Sequence, residues 1–140
     1  MLDGCVLPQL WTRAPSARRL RRDRLAFQAG REIGFGCAIR GAPAGRRRWT
    51  RGRLHLSREA GVWWTPRIRR SRALALSLPA MEFTGVRFPR AGDSWLGDYD
   101  AVLVYAAGAG RLELALFRRN RHLVGLADER LKGPLGRPCP

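Results

Sequence analysis

The segment AVLVYAAGAGRLELALF, residues 101–117, restricts the fold more than any other part of the chain. Two short apolar runs, AVLVYAA and RLELALF, are joined by Gly-Ala-Gly at 108–110. In the second run Leu112, Leu114 and Leu116 fall on alternate positions. Runs of this length, bounded by glycine and apolar at every second residue, fit strands of a hairpin and are too short for ordinary helices. Similar pieces recur from Ile33 onward. GFGCAIR places Phe35, Cys37 and Ile39 on one face. In WTRGRLHLS, residues 49–57, Leu54 and Leu56 face one way while Arg51, Arg53 and His55 face the other. REAG turns the chain and VWWTP returns it. ALALSL, residues 73–78, is a further pairing candidate, although its alanines and leucines also suit a helix. MEFTGVRF, residues 81–88, alternates again.

Glycine- and proline-rich pieces separate these runs: GAPAGRRR at 41–48 reads as a loop and PRAGDSWLGDYD at 89–100 as a long turn. After the last strand, RRNRHLVGLADERLKG has helical tendency, with Leu123, Leu126 and Leu131 as its apolar side. The expected fold is therefore mainly β (α+β): a small rolled sheet or barrel of six to seven strands, plugged by a C-terminal helix. The expected organisation is a basic, mostly flexible N-terminal arm over 1–32, one β-rich domain over 33–132 and a flexible tail over 133–140. Within the arm, Leu20, Leu25 and Phe27 are scattered and fit a 3.6-residue face poorly. Ser16 to Ala29 reads as a mobile or marginally helical segment.

Charge is the other informative feature. The net charge is +16, and it is polarised. Residues 13–72 hold 18 arginines against Asp23, Glu32 and Glu59, for +15; residues 73–140 hold eight arginines and Lys132 against seven acids, for +2. Asp3 supplies the remainder. Lys132 is the only lysine, a preference that coding composition can produce without selection for a ligand. Whatever its origin, so lopsided a field attracts anionic surfaces. The candidate anion-binding residues are Arg18, Arg19, Arg21, Arg22 and Arg24 in the arm, with Arg46, Arg47 and Arg48 in the loop.

Trp63 and Trp64 are adjacent in a presumed strand, so one faces the core and the other the outer wall. The register of the REAG turn decides which. The three cysteines, Cys5, Cys37 and Cys139, are widely spaced without a CxxC pair, which argues for free thiols and against a zinc site or disulfide framework. No apolar run follows the arginines as a signal peptide or twin-arginine signal requires, and none approaches membrane-spanning length.

The order of elements resembles that of pleckstrin-homology-like proteins, in which two packed sheets are capped by a C-terminal helix. GRLHLSREAGVWWTP is similar to the opening hairpin of GRAM-type modules. Residues 34–127 more closely resemble the bacterial family catalogued as domain of unknown function 2550, on the strength of CAIR at 37–40, WTRGRL at 49–54 and Glu113-Leu114-Ala115. Members of that family usually begin with a membrane-spanning helix followed by a basic segment. ARRLRRDR at 17–24 resembles the basic segment, without the span, as in a soluble relative or in a chain whose start lies upstream. The resemblance implies no catalytic residue, and phosphoinositide binding does not follow from the fold.

No catalytic constellation is assembled by the sequence. His55 and His122 are far apart, no serine sits in a GxSxG elbow, and no cysteine has a neighbouring histidine. The glycines after AVLVYAA do not complete a dinucleotide fingerprint, because Glu113 stands where glycine is required. Asp93, Asp98 and Asp100 lack calcium-loop spacing and read as turn formers. The expectation is a non-enzymatic binding or scaffold module with no cofactor, metal or small-molecule substrate. It would be cytoplasmic and peripheral on the inner face of the cell membrane. Its partner would be an anionic lipid surface or a membrane protein, engaged through the arginine-rich arm. The alternative is non-specific nucleic-acid binding through the same charges.

Overall fold

The computed structural model describes residues 16–41, 46–68, 73–90, 93, 99–108, 110–128 and 131. One helix, α1 (Ala17–Gln28), precedes seven strands: β1 (Ile33–Gly41), β2 (Arg46–Ser57), β3 (Gly61–Pro66), β4 (Leu74–Ala75), β5 (Glu82–Arg87), β6 (Ala101–Ala107) and β7 (Gly110–Leu116). A 3-10 turn, Arg118–Asn120, leads into a short helix, α2 (Arg121–Val124). The strands form one antiparallel sheet in the order β4-β3-β2-β1-β7-β6-β5, curled into a half-barrel. Seven strands followed by a short helix agree with the pleckstrin-homology-like architecture expected from the sequence.

Alternation sets the faces. Phe35, Cys37 and Ile39 on β1, Leu54 and Leu56 on β2, and Leu112, Leu114 and Leu116 on β7 all line the concave side and are buried in one core. Trp64 belongs to that side and is 1% exposed, so Trp63 is the outer one. Register explains the choice: Leu54 pairs with Trp64 and His55 with Trp63, and paired residues share a face. The Trp64 indole lies over Gly52, where a Cβ would come within 2.6 Å of its Cζ2 and 2.1 Å of the Thr65 carbonyl oxygen. Its Nε1 donates to the Cys37 carbonyl at 2.9 Å, crossing from β3 to β1 beneath that glycine.

Several expectations change on folding. ALALSL gives only the two residues of β4; Leu76 and Leu78 then drop into the core as the chain passes to β5 through a 3-10 turn carrying Pro79. Arg46, Arg47 and Arg48, expected in a loop, belong to β2, because Arg46 already pairs with Gly41. Residues 42–45 of that loop lie outside the described residues, as do most of the long turn at 89–100 and the whole of the tail at 133–140. Of the helix expected over 118–133, the described residues give the 3-10 turn Arg118–Asn120 and the four residues of α2, while 129–130 and 132–133 lie outside them. Gly125 ends α2: the chain doubles back so closely that a Cβ there would lie 3.2 Å from the Leu131 carbonyl oxygen. Leu131 is fully buried, and the Asp128 carboxylate accepts the Tyr105 hydroxyl at 2.9 Å.

The segment read as marginally helical is a capped helix. The Ser16 hydroxyl accepts the Arg19 N–H at 3.1 Å. At the other end Gly30, at φ 84°, lets its own N–H reach the Phe27 carbonyl and the Arg31 N–H reach that of Ala26. That pairing is the Schellman arrangement, which glycine favours because it needs a left-handed backbone. Leu20 and Phe27, seven residues apart, turn towards the core, and Phe27 is buried in it. α1 packs against β1 and α2, and Arg58 of the β2–β3 turn donates to the Gln28 carbonyl at 3.0 Å. Among the described residues no helix is long and apolar enough to cross a membrane.

Candidate anion-binding surface

Because Leu20 and Phe27 fix the inward side of α1, helical geometry fixes the outward side. Residues at i, i+3, i+4 and i+7 share a face. Arg18, Arg21, Arg22 and Leu25 have that spacing, and all four are exposed, Leu25 at 57%. Arg19 and Arg24 flank the stripe and are also exposed. Together with Ser16 and Arg31, residues Arg18, Arg19, Arg21, Arg22 and Leu25 border a shallow concavity. The only acid on the helix, Asp23, is half-buried on the inward side. The five candidate arginines of the arm therefore share one folded element, with a leucine among them.

The second candidate group is elsewhere. α1 hands the chain to β1 at Ile33, whereas Arg46 pairs with Gly41 at the other end of that strand. Eight residues of strand separate those ends, about 26 Å at the usual rise. Arg48 is exposed at the far end, and Arg46 and Arg47 precede it on β2. The candidate residues thus fall into two groups, on α1 and at the far end of β1 from it.

The outer face of the sheet carries features that residue patterning did not reveal. Trp49, Tyr99, Val102, Ala115 and Phe117 make a small second core around Ala38. Tyr99 and Phe117 meet edge to face at 5.2 Å. Beside it lies an ion network. Arg40 donates to Glu113 Oε1 from Nε at 3.0 Å and from Nη2 at 2.7 Å. Arg87 donates to Glu113 Oε2 at 2.8 Å and to Asp93 Oδ2 at 2.8 Å. Trp49 Nε1 donates to Asp93 Oδ1 at 2.9 Å, and the Arg40 guanidinium sits 4.5 Å over the Trp49 ring.

Burial of the two carboxylates opposes ionisation, but the hydrogen bonds they receive outweigh it. Arg87, the Arg90 N–H and Trp49 hold Asp93 well below the usual carboxylate range. Arg87 and Arg40 hold Glu113 below it as well. Asp93, expected as a turn former, does close a turn onto the Arg90 carbonyl. Its carboxylate nevertheless works as a buried anchor. Residue pattern carries no signal for this: Arg40 reaches Glu113 through a β1–β7 register that joins residues 73 apart, and Arg87 reaches it from β5 across β6.

Further along the outer face, His55 stacks on Trp63 with ring centroids 5.3 Å apart and 8° between planes. Its Nε2 is 2.8 Å from Thr65 Oγ1. Burial lowers its pKa, Glu32 opposes that and Arg53 adds to it. Burial pushes the Tyr99 phenol up, against the pull of Arg51, Arg53 and Arg67. The Cys37 thiol is fully buried and raised by that burial. Among the described residues no group of three or more His, Cys, Asp or Glu comes together as a metal site would require.

No family model, curated protein or solved structure matches the chain.

Proposed function

We propose that the chain is a non-enzymatic binding module that associates peripherally with an anionic membrane surface through α1. The observation that carries this reading is the outward stripe of Arg18, Arg21, Arg22 and Leu25 on a helix docked by its opposite side. Guanidinium groups next to an anionic leaflet gain about 1 kcal/mol each, and an exposed leucine between them adds apolar burial at the headgroup boundary. Docking through Leu20 and Phe27 holds the cations in a fixed array, which lowers the ordering cost of binding. The likeness of ARRLRRDR to the basic segment of the domain-of-unknown-function 2550 family points the same way. Co-sedimentation with vesicles containing phosphatidylserine tests it. Replacing Arg18, Arg19, Arg21 and Arg22 with glutamine is expected to weaken retention at least about a hundredfold. Unchanged retention would place the contact on the β-domain.

A second reading, non-specific nucleic-acid binding, draws on the partly exposed Trp63 of β3 and on Arg53 of the neighbouring strand β2, since bases stack on aromatic faces flanked by cations. Release from vesicles by single-stranded competitor, with a steep dependence on salt, would favour it.

A further inference from the structure

The sheet ends early on one side, and a cleft opens there. β4 contributes only Leu74 and Ala75 before the chain leaves for the 3-10 turn at Leu78–Ala80, although the Leu76 N–H still bonds the Val62 carbonyl at 2.9 Å. Four pieces of chain surround the space: the end of α1, the turn between β2 and β3, the passage out of β4, and the segment after α2. Its volume is about 640 Å³. Pockets for small organic ligands measure roughly 300–1,000 Å³. Phe27, Val62 and Leu76, all buried, make an apolar floor, with Leu126 half-buried beside them. Ala60, Ala75 and Ala80 are exposed at the rim, each offering one methyl group where a longer apolar side chain would close the cleft.

One charged side chain lines this space. Arg58 donates from Nη1 to the Gln28 carbonyl at 3.0 Å, which fixes it against the end of α1 and uses one of the five donors of a guanidinium. It takes part in no ion pair among the described residues. Glu59, its neighbour in the turn, is exposed and does not line the cleft, nor does any other acid among the described residues.

We propose that the cleft binds a long-chain fatty acid, its alkyl chain on the floor of Phe27, Val62, Leu76 and Leu126 and its carboxylate on Arg58. Apolar walls with a single fixed cation match an apolar chain that ends in a single oxyanion. The guanidinium keeps donors for both carboxylate oxygens. A sugar or a polyphosphate fits poorly, because it would lose water from polar groups against alanine and leucine. The site goes beyond the membrane reading. Phe27 lies on the docked side of α1 and the arginine stripe on the outward side, so either can bind its ligand without the other.

Titration calorimetry of the full chain with dodecanoate, kept below the concentration at which it forms micelles, tests this. One equivalent is expected to bind. Passing from decanoate through dodecanoate to tetradecanoate is expected to tighten binding about threefold per methylene. Arg58→Gln is expected to weaken it about tenfold. Ala80→Phe, at an exposed position, fills the cleft and is expected to abolish binding while the melting temperature stays native. Replacing Arg18, Arg19, Arg21 and Arg22 with glutamine is expected to leave it unchanged. Nuclear magnetic resonance of the unaltered chain locates the ligand without any variant, and the amides of Ala60, Gly61, Ala80 and Ala127 are expected to shift. Absence of binding to the unaltered chain would overturn the proposal, as would shifts confined to the exposed side of α1. So would uptake of several equivalents that disappears in the four-arginine variant, because that is adsorption to surface charge.

Discussion

Trp64 and Gly52 depend on each other. The indole occupies the space over the glycine and uses that position to reach the Cys37 carbonyl. Gly52→Ala is therefore expected to destabilise the fold by about 1–3 kcal/mol, the usual cost of forcing an extra carbon into a packed core. Trp64→Ala should cost about 3–5 kcal/mol. Trp63→Ala should cost clearly less, since its ring is half-exposed on the outer wall. Chemical denaturation of the three variants checks the ranking, and an equal loss at Trp63 would refute the assignment of faces. Cys37 allows a separate test. Its thiol is buried and raised, so it should resist alkylation at pH 8 in the native protein and react once the chain is unfolded. The measurement needs Cys5 and Cys139 replaced by serine.

The elements differ in how plainly their residues declare them. Both ends of α1 were visible as Ser16 and Gly30, residues that suit a helix N-cap and a left-handed cap. Taken as one apolar set, Leu20, Leu25 and Phe27 fit no single helical face, which hides the helix. Leu25 in fact points outward, and without it the spacing of Leu20 and Phe27 is two regular turns. α2 went the other way: its leucines suggested a long helix, but Gly125 and the Asp128–Tyr105 bond turn the chain into the core. The strands were legible from alternation, and their arginines from composition. The Arg40–Glu113–Arg87–Asp93 network was not, since it depends on register between distant strands and on a bulge between Phe83 and Gly85.

That network carries its own prediction. Both carboxylates are depressed in the folded state, so their contribution is fully present above the unfolded values of about 4 and is lost as pH falls through the lower folded ones. Melting temperature should stay level from pH 7 to about pH 5 on this account and drop steeply below it. Glu113→Gln is expected to cost on the order of 3 kcal/mol at pH 7, because two guanidinium groups lose their shared partner, and to flatten the acid limb. A variant that keeps the wild-type acid slope would show that the network is not what titrates.

At the scale of the whole molecule, the charge and the fold pull against each other. A net charge of +16 repels itself in any compact state. Added salt should therefore raise the melting temperature up to moderate ionic strength by screening, while weakening attachment to anionic vesicles over the same range. Parallel changes in the two quantities would separate the vesicle contact from electrostatics.

The strand order has a consequence for how the protein comes into being. β1, the first strand made, lies in the middle of the sheet with β7, the last, at its side. A ribosome that has delivered β1 to β4 has released a four-stranded meander whose inner edge is open. The second meander, β5 to β7, must arrive before that edge is covered. Throughout synthesis Ala38, Ile39 and Arg40 await partners that are translated last. A stop codon anywhere before β7 would thus leave a sticky ribbon and not a smaller version of the domain. The slow step in reaching the native state is expected to be the meeting of two local hairpin stacks along that single seam.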